Sequence, residues 1–276
     1  MIASLQNPRA RASATCLPEP VDIPSLSNHL TTRERLAGFS RWLTSEAGRV
    51  LCENEQEGVR NLIPRRYFPV AVQFGAPACA HLDSVNCGRA YTLVPGMEFA
   101  SDHGLVSDFE SLPFGHHSVD LAVLPHALDF VQDPHMLLRE LTQAMAPDGC
   151  LVVVGFQPYS LWGMRKLLHL RSTEAPWVGH FFSTSRVQDW LSLMGYRVLA
   201  GRMMLYRPPM QPQRMFDRLK FMESAGDRWW PMFGAVYVVV ARLETMRVIP
   251  VGQPRRRRFR PALAPVARKI SGESLN

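Results

Sequence analysis

Hydrophobic positions along this chain first recur at helical spacing and then gather into short continuous runs. From Leu30 to Leu51 the apolar residues Leu36, Phe39, Leu43, Val50 and Leu51 fall roughly on one helical face. This spacing predicts a helix, with Thr31 or Thr32 as its cap and Glu34 in its first turn. The texture then changes. The run "PVAVQF" is bounded by Pro69 and Gly75 and reads as a buried strand, and "AYTLVPG" and "HGLVSDF" follow it. "SVDLAVL" and "GCLVVVGF" make a fourth and a fifth, and "YRVLAGRMML" and "AVYVVVAR" close the series. Runs that are apolar throughout, without alternation, are the signature of strands covered on both faces.

Helical segments separate the later runs. In "DPHMLLRELTQAMAPDG", Asp133 is a good cap and Pro134 fits the first helical position. Leu137, Leu138, Leu141 and Met145 form one stripe, and Pro147 and Gly149 end it. "SLWGMRKLLHL" and "STSRVQDWLSLMG" are two more helices, the second capped by Ser183 or Thr184 and closed by Gly195. Strands alternating with helices predict an α/β fold, doubly wound, with a mostly parallel seven-stranded sheet and helices on both faces.

Composition adds limits rather than identity. The 276 residues are 46% hydrophobic and 20% charged, ordinary for a globular chain. No apolar run is long enough to span a bilayer, and the N-terminus lacks the apolar core of a signal peptide, so a cytoplasmic location is expected. Cys16, Cys52, Cys79, Cys87 and Cys150 include no C-x-x-C pair. That argues against a disulfide framework and against a structural zinc site, and favours cysteines as small buried hydrophobes. The net charge of +7 sits almost wholly in residues 254–276, where Arg255, Arg256, Arg257, Arg258, Arg260, Arg268 and Lys269 face only Glu273. The expected organisation is a disordered segment over 1–25, a domain over 26–245 with an insertion at 206–233, and a basic tail over 246–276.

One stretch is specific enough to suggest a family. Between residues 107 and 158 stand Asp108, Leu112-Pro113-Phe114, Asp120, Leu137-Leu138-Arg139-Glu140 and Pro147-Asp148-Gly149, in that order and spacing. The stretch resembles the centre of the class I S-adenosylmethionine-dependent methyltransferases of the type 11 group. The wider texture, including "GFQPYSLWGMRKLL", is similar to the bacterial YafS-like branch. The resemblance implies a Rossmann-like sheet, S-adenosylmethionine as cofactor, and methyl transfer to an acceptor that the sequence does not name.

The family's cofactor turn after strand one is acidic-x-Gly-x-Gly-x-Gly; here it reads Gln73-Phe74-Gly75-Ala76-Pro77-Ala78-Cys79. Gly75 is the one glycine left, Gln73 replaces the acid, and Pro77 lacks an N–H. The acid expected at the end of strand two has no clear counterpart. By the resemblance, Gln73 and Gly75 would meet the methionine end, Asp108 and the Phe109 N–H the adenine, and Pro125 the cofactor edge. His126 is a candidate general base, or a histidine bonded to backbone. Tyr159 and Trp162 could line the pocket mouth. His116 and His117, without a third ligand, read as solvated loop. Trp229 and Trp230 read as core packing more readily than as a substrate wall. The arginine tail could touch nucleic acid or an acidic surface through phosphates, or simply be solvated. The competing reading is a catalytically silent scaffold on the same fold, binding a protein or nucleic acid.

Overall fold

The computed structural model describes residues 30–244 apart from 76–78, 100–103, 108, 110, 169–174, 209–218 and 220. Asp108, Pro77, the 1–25 segment and the arginines of the 246–276 tail therefore lie outside the described residues.

The N-terminal helical pattern resolves into two helices rather than one. Helix α1 (Thr32–Leu43) begins with a reciprocal capping box between Thr31 and Glu34 and buries Leu36, Phe39 and Leu43. Ser45 then caps a second helix, α2 (Glu46–Leu62), by accepting from the Gly48 N–H. The break arises because a serine hydroxyl competes for the backbone and starts a new helix. Helix α2 continues well past Leu51, burying Leu51, Cys52, Glu55 and Val59.

The sheet follows the apolar runs closely. Its strands are β1 (Phe68–Phe74), β2 (Cys87–Val94), β3 (Gly104–Val106), β4 (Val119–Pro125), β5 (Met145–Phe156), β6 (Tyr196–Met204) and β7 (Val236–Leu243). Their spatial order is β3-β2-β1-β4-β5-β7-β6. Strands β1 to β5 pair in parallel. Strand β7 inserts between β5 and β6 and runs antiparallel to both. The further described helices are α3 (Ala127–Phe130), α4 (Pro134–Ala144), α5 (Leu161–Leu168), α6 (Thr184–Leu193) and α7 (Phe221–Trp229), with short 3-10 turns at Met97–Phe99 and Pro231–Phe233. Between Gly75 and Cys87 the described residues form bends and turns, with no helix.

The core is the central sheet and what covers it. Val152, Val153, Val154, Val238, Val239 and Val240 are fully buried on adjoining strands, which is why both runs read as unbroken hydrophobes. The Pro147–Gly149 turn expected before strand five is instead a bulged beginning of β5, with Asp148 at φ 60° and the register slipping opposite Val119 and Leu121. Trp229 and Trp230 are 70% and 60% exposed, so they do not pack the core as expected. Trp162 does: it is buried, and its indole N–H donates to the Arg207 carbonyl. Tyr159 stays exposed.

Helix α4 offers a clean test of local stability. Asp133 Oδ1 accepts from the backbone N–H groups of His135 and Met136 at 2.9 and 3.0 Å. Asp133→Ala removes both bonds and is expected to cost about 1 kcal/mol, read as a lower urea midpoint with an unchanged slope.

Candidate functional site

The strand order reverses between β1 and β4, since the chain runs outward through β2 and β3 and then returns to the other side of β1. In open α/β sheets ligands bind outside the carboxyl ends of the strands at such a switch point. Here those ends are Phe74-Gly75 on β1 and Pro125-His126 on β4. Gly75 holds φ +95°, a left-handed conformation that suits glycine. A Cβ added there would stand 3.4 Å from the Pro125 carbonyl and 3.8 Å from Leu36 of α1. Those are ordinary contacts, so the backbone conformation rather than crowding calls for glycine here.

Behind the turn lies a buried polar chain. His126 adopts φ 53°, which turns its ring inward from the end of β4. Its Nδ1 stands 2.8 Å from Asp129 Oδ2, and its Nε2 stands 2.6 Å from Glu55 Oε1 on α2. Asp129 Oδ2 also accepts from the Phe156 N–H at 3.0 Å, tying the chain to β5. Phe39 meets the His126 ring edge-on and Phe156 stacks on it at 4.0 Å. Burial alone would lower the His126 pKa, but the Glu55 and Asp129 carboxylates outweigh it and raise it to about 9. Both ring nitrogens then carry protons and donate. Burial raises the Asp129 carboxyl, with His126 opposing.

Gln73 is buried as well and faces the loop after β1. Its Nε2 donates to the Cys79 carbonyl at 2.7 Å, and its Oε1 accepts from the His81 N–H at 3.0 Å. Next to it Cys79 is joined to Cys52 of α2 by a disulfide with Cα atoms 5.4 Å apart. This corrects the expectation of cysteines acting only as small hydrophobes. Cys87 and Cys150 are unpaired, and burial pushes the Cys150 thiol up to about 11. Burial lowers His81 to about 4, against the pull of Glu55.

The sequence-derived site residues thus fare unequally. Gly75 and Pro125 come together at the switch point. Gln73 lies beneath the turn with both ends of its amide engaged, so it is not presented to a ligand. The Phe109 N–H, expected to reach adenine, donates to Ser107 Oγ at 3.2 Å, with Phe109 at φ 69° and its ring buried against Phe74. His126, expected as a base, has no free nitrogen and is 1% exposed. A protonated imidazole held between two carboxylates cannot accept a proton from substrate. His117 lies in an exposed loop, its Nδ1 3.0 Å from the Met145 carbonyl. Sequence reading missed Glu55, Asp129 and His81. A carboxylate three residues after His126 was visible, but its significance depends on the left-handed turn at His126.

Comparison with known proteins fits this architecture. The methyltransferase domain family of the type 11 group matches residues 89–153, from β2 into β5. The similarity to that family thus covers about a quarter of the chain, the part that carries the central parallel strands. It is 43% identical over 88 residues to the uncharacterised protein YafS of Escherichia coli K12, covering 32% of this chain and 37% of that one. It is 29% identical over 182 residues to an uncharacterised protein of Mycobacterium tuberculosis H37Rv, covering 63% of this chain and 62% of that one. The matches therefore span less than two thirds of these curated relatives. A methyltransferase structure from Thermotoga maritima superposes with a TM-score of 0.57 at 18% identity, covering 75% of this chain and 99% of that one; this likeness speaks to the fold. No described helix of the chain is long and apolar enough to cross a membrane.

Two substitutions test the buried chain. His126→Ala leaves the Glu55 and Asp129 carboxylates buried without their shared partner, and is expected to cost about 3–5 kcal/mol in guanidinium unfolding. Gln73→Glu, which would restore the family's acid, puts a carboxylate against the Cys79 carbonyl. We expect it to destabilise the fold by about 1–3 kcal/mol rather than improve cofactor binding, as unfolding and calorimetry side by side will tell.

Proposed function

We propose that this methyltransferase binds S-adenosylmethionine across the carboxyl ends of β1 and β4 and transfers its methyl group to an acceptor still to be identified. The observation that carries the reading is the turn at Gly75. At the one place where the sheet reverses order, the chain turns on a glycine in a left-handed conformation that side chains rarely adopt. Backbone can approach a ligand closely only at such a position.

The residues present fit the cofactor in part. Gly75 and the Pro125 carbonyl would border its methionine end, and Phe109 with Asp108 its adenine. Gln73 and the Phe109 N–H are committed elsewhere, so binding would rest on shape and backbone more than on charge. When bound, the sulfonium cofactor supplies an electrophilic methyl group. The chain's part is then to hold the acceptor in line and exclude water, which can supply most of the rate enhancement for so reactive a donor. His126 would act as a positioning residue, fixing the end of β4 rather than moving a proton.

The competing scaffold reading draws on the same engaged residues. Calorimetric titration with S-adenosylmethionine and S-adenosylhomocysteine separates the two. The enzyme reading expects micromolar binding, weakened at least about tenfold, or 1.4 kcal/mol, by Gly75→Val. That variant fills the turn and strains its backbone. No heat at millimolar ligand overturns the methyltransferase activity and leaves the scaffold.

A further inference from the structure

We propose that Cys52, Glu55, Cys79 and His81 form a binding site for a divalent transition-metal cation of the zinc type, pinning the loop after β1 to α2. The proposal does not depend on the activity proposed above.

Cys52 and Glu55 stand three residues apart on α2, a spacing that brings two side chains onto one helical face. Cys79 and His81 come from the segment after β1. Ligand atoms of Glu55, Cys79 and His81 all lie within 4.8 Å of one another, and all three residues are buried. The Cys52 sulfur stands one bond from that of Cys79, at the edge of this group. Two thiols, an imidazole and a carboxylate are the donor set that zinc takes in tetrahedral sites.

The second observation is what the disulfide leaves unexplained. His81 is 1% exposed, and among the described residues neither of its ring nitrogens has a hydrogen-bond partner. Glu55 Oε2 is likewise buried without one, and it stands 3.8 Å from His81 Nε2. Each such orphan costs about 1–3 kcal/mol, and two of them, His81 Nε2 and Glu55 Oε2, face each other beside the Cys79 sulfur and call for a common partner. A cation supplies it. At metal–ligand distances of about 2.0–2.3 Å, tetrahedral neighbours stand roughly 3.3–3.8 Å apart, so the His81–Glu55 separation already suits a shared ion. The two sulfurs can bond to each other or to a cation but not both. The metal form therefore follows a two-electron reduction of the disulfide by an external thiol reductant, which is itself oxidised to a disulfide. The two thiols formed release their protons as they bind the cation.

The surroundings orient the ligands as supporting residues do around metal sites. His126 Nε2 donates to Glu55 Oε1, leaving Oε2 turned toward His81. Gln73 grips the backbone of both loop ligands, at the Cys79 carbonyl and the His81 N–H. Gln73, the residue that stands in place of the family's acid, thus has a role that an acid could not perform, since the bond to the Cys79 carbonyl needs a donor.

The test uses the full chain purified with reductant and without chelator. Elemental mass spectrometry should find about one zinc per chain. Replacement by cobalt(II) should give tetrahedral ligand-field bands together with a thiolate-to-cobalt charge-transfer band. Cys52→Ser and His81→Gln should each lower retained zinc at least about tenfold, while Cys87→Ser leaves it unchanged. The proposal is overturned if the reduced protein holds no zinc and shows no cobalt charge-transfer band. Equal zinc in a Cys52→Ser/Cys79→Ser double variant overturns it too. So does a Cys52–Cys79 disulfide that persists in the peptide map of the reduced protein. Should the variants fail to fold, the cobalt spectrum of the unaltered chain decides alone.

Discussion

The buried contact between Glu55 and His126 is the constraint on which this molecule's functional end depends. It crosses 71 positions of sequence to join a helix that precedes the sheet to the carboxyl end of β4. Its energetics allow no half measures. Three ionisable groups out of water are tolerable only while each carboxylate faces the protonated ring, and the ring is held in place by Phe39 and Phe156 as well as by hydrogen bonds. Because Asp129 also accepts from Phe156 on β5, one imidazole fixes α2, β4 and β5 together. The switch point of the sheet inherits that rigidity.

That arrangement explains why a methyltransferase sheet can stand here without the family's glycine-rich turn. In the family pattern, glycines and a helix N-terminus shape the floor beneath the cofactor. Here the floor is shaped from below: Gln73 ties down the loop, Cys79 ties it to α2, and Glu55 ties α2 to β4. Two of the family's glycines are replaced where side chains rather than backbone freedom hold Cys79 and His81 in place. Among the described residues of this segment Gly75 alone is left-handed, and it is the glycine that survives.

Much of the fold was legible because burial on both faces writes itself into the sequence. The valine-rich runs of β5 and β7 could hardly be anything but central strands, and the cap at Asp133 and the Leu137–Leu141 stripe could hardly be anything but a helix. What the runs do not encode is direction: β7 reads the same parallel or antiparallel, and its insertion between β5 and β6 depends on where the chain returns. Helix α2 was legible only in its first turns, because beyond Leu51 its sequence, Cys-Glu-Asn-Glu-Gln-Glu-Gly, looks like a solvated face. Glu55 is buried there for a reason that lies on another element. Trp229 and Trp230 show the opposite limit. Aromatic content suggests burial, but nothing local says whether a partner surface exists.

The site was less legible than the fold for the same reason. A family pattern directs attention to the residues that should touch a ligand, and by that measure Gln73 is a defect. In three dimensions Gln73 is a donor and an acceptor spent on two backbone groups of one loop, and the residues it positions are a cysteine and a histidine. A residue that fits poorly into an inherited role but is fully satisfied by its neighbours has been recruited to another. Reading Gln73 by its partners rather than by its alignment moves the centre of interest from the face of the turn to the space behind it. There Glu55 and His81 still face each other with buried polar atoms unpaired.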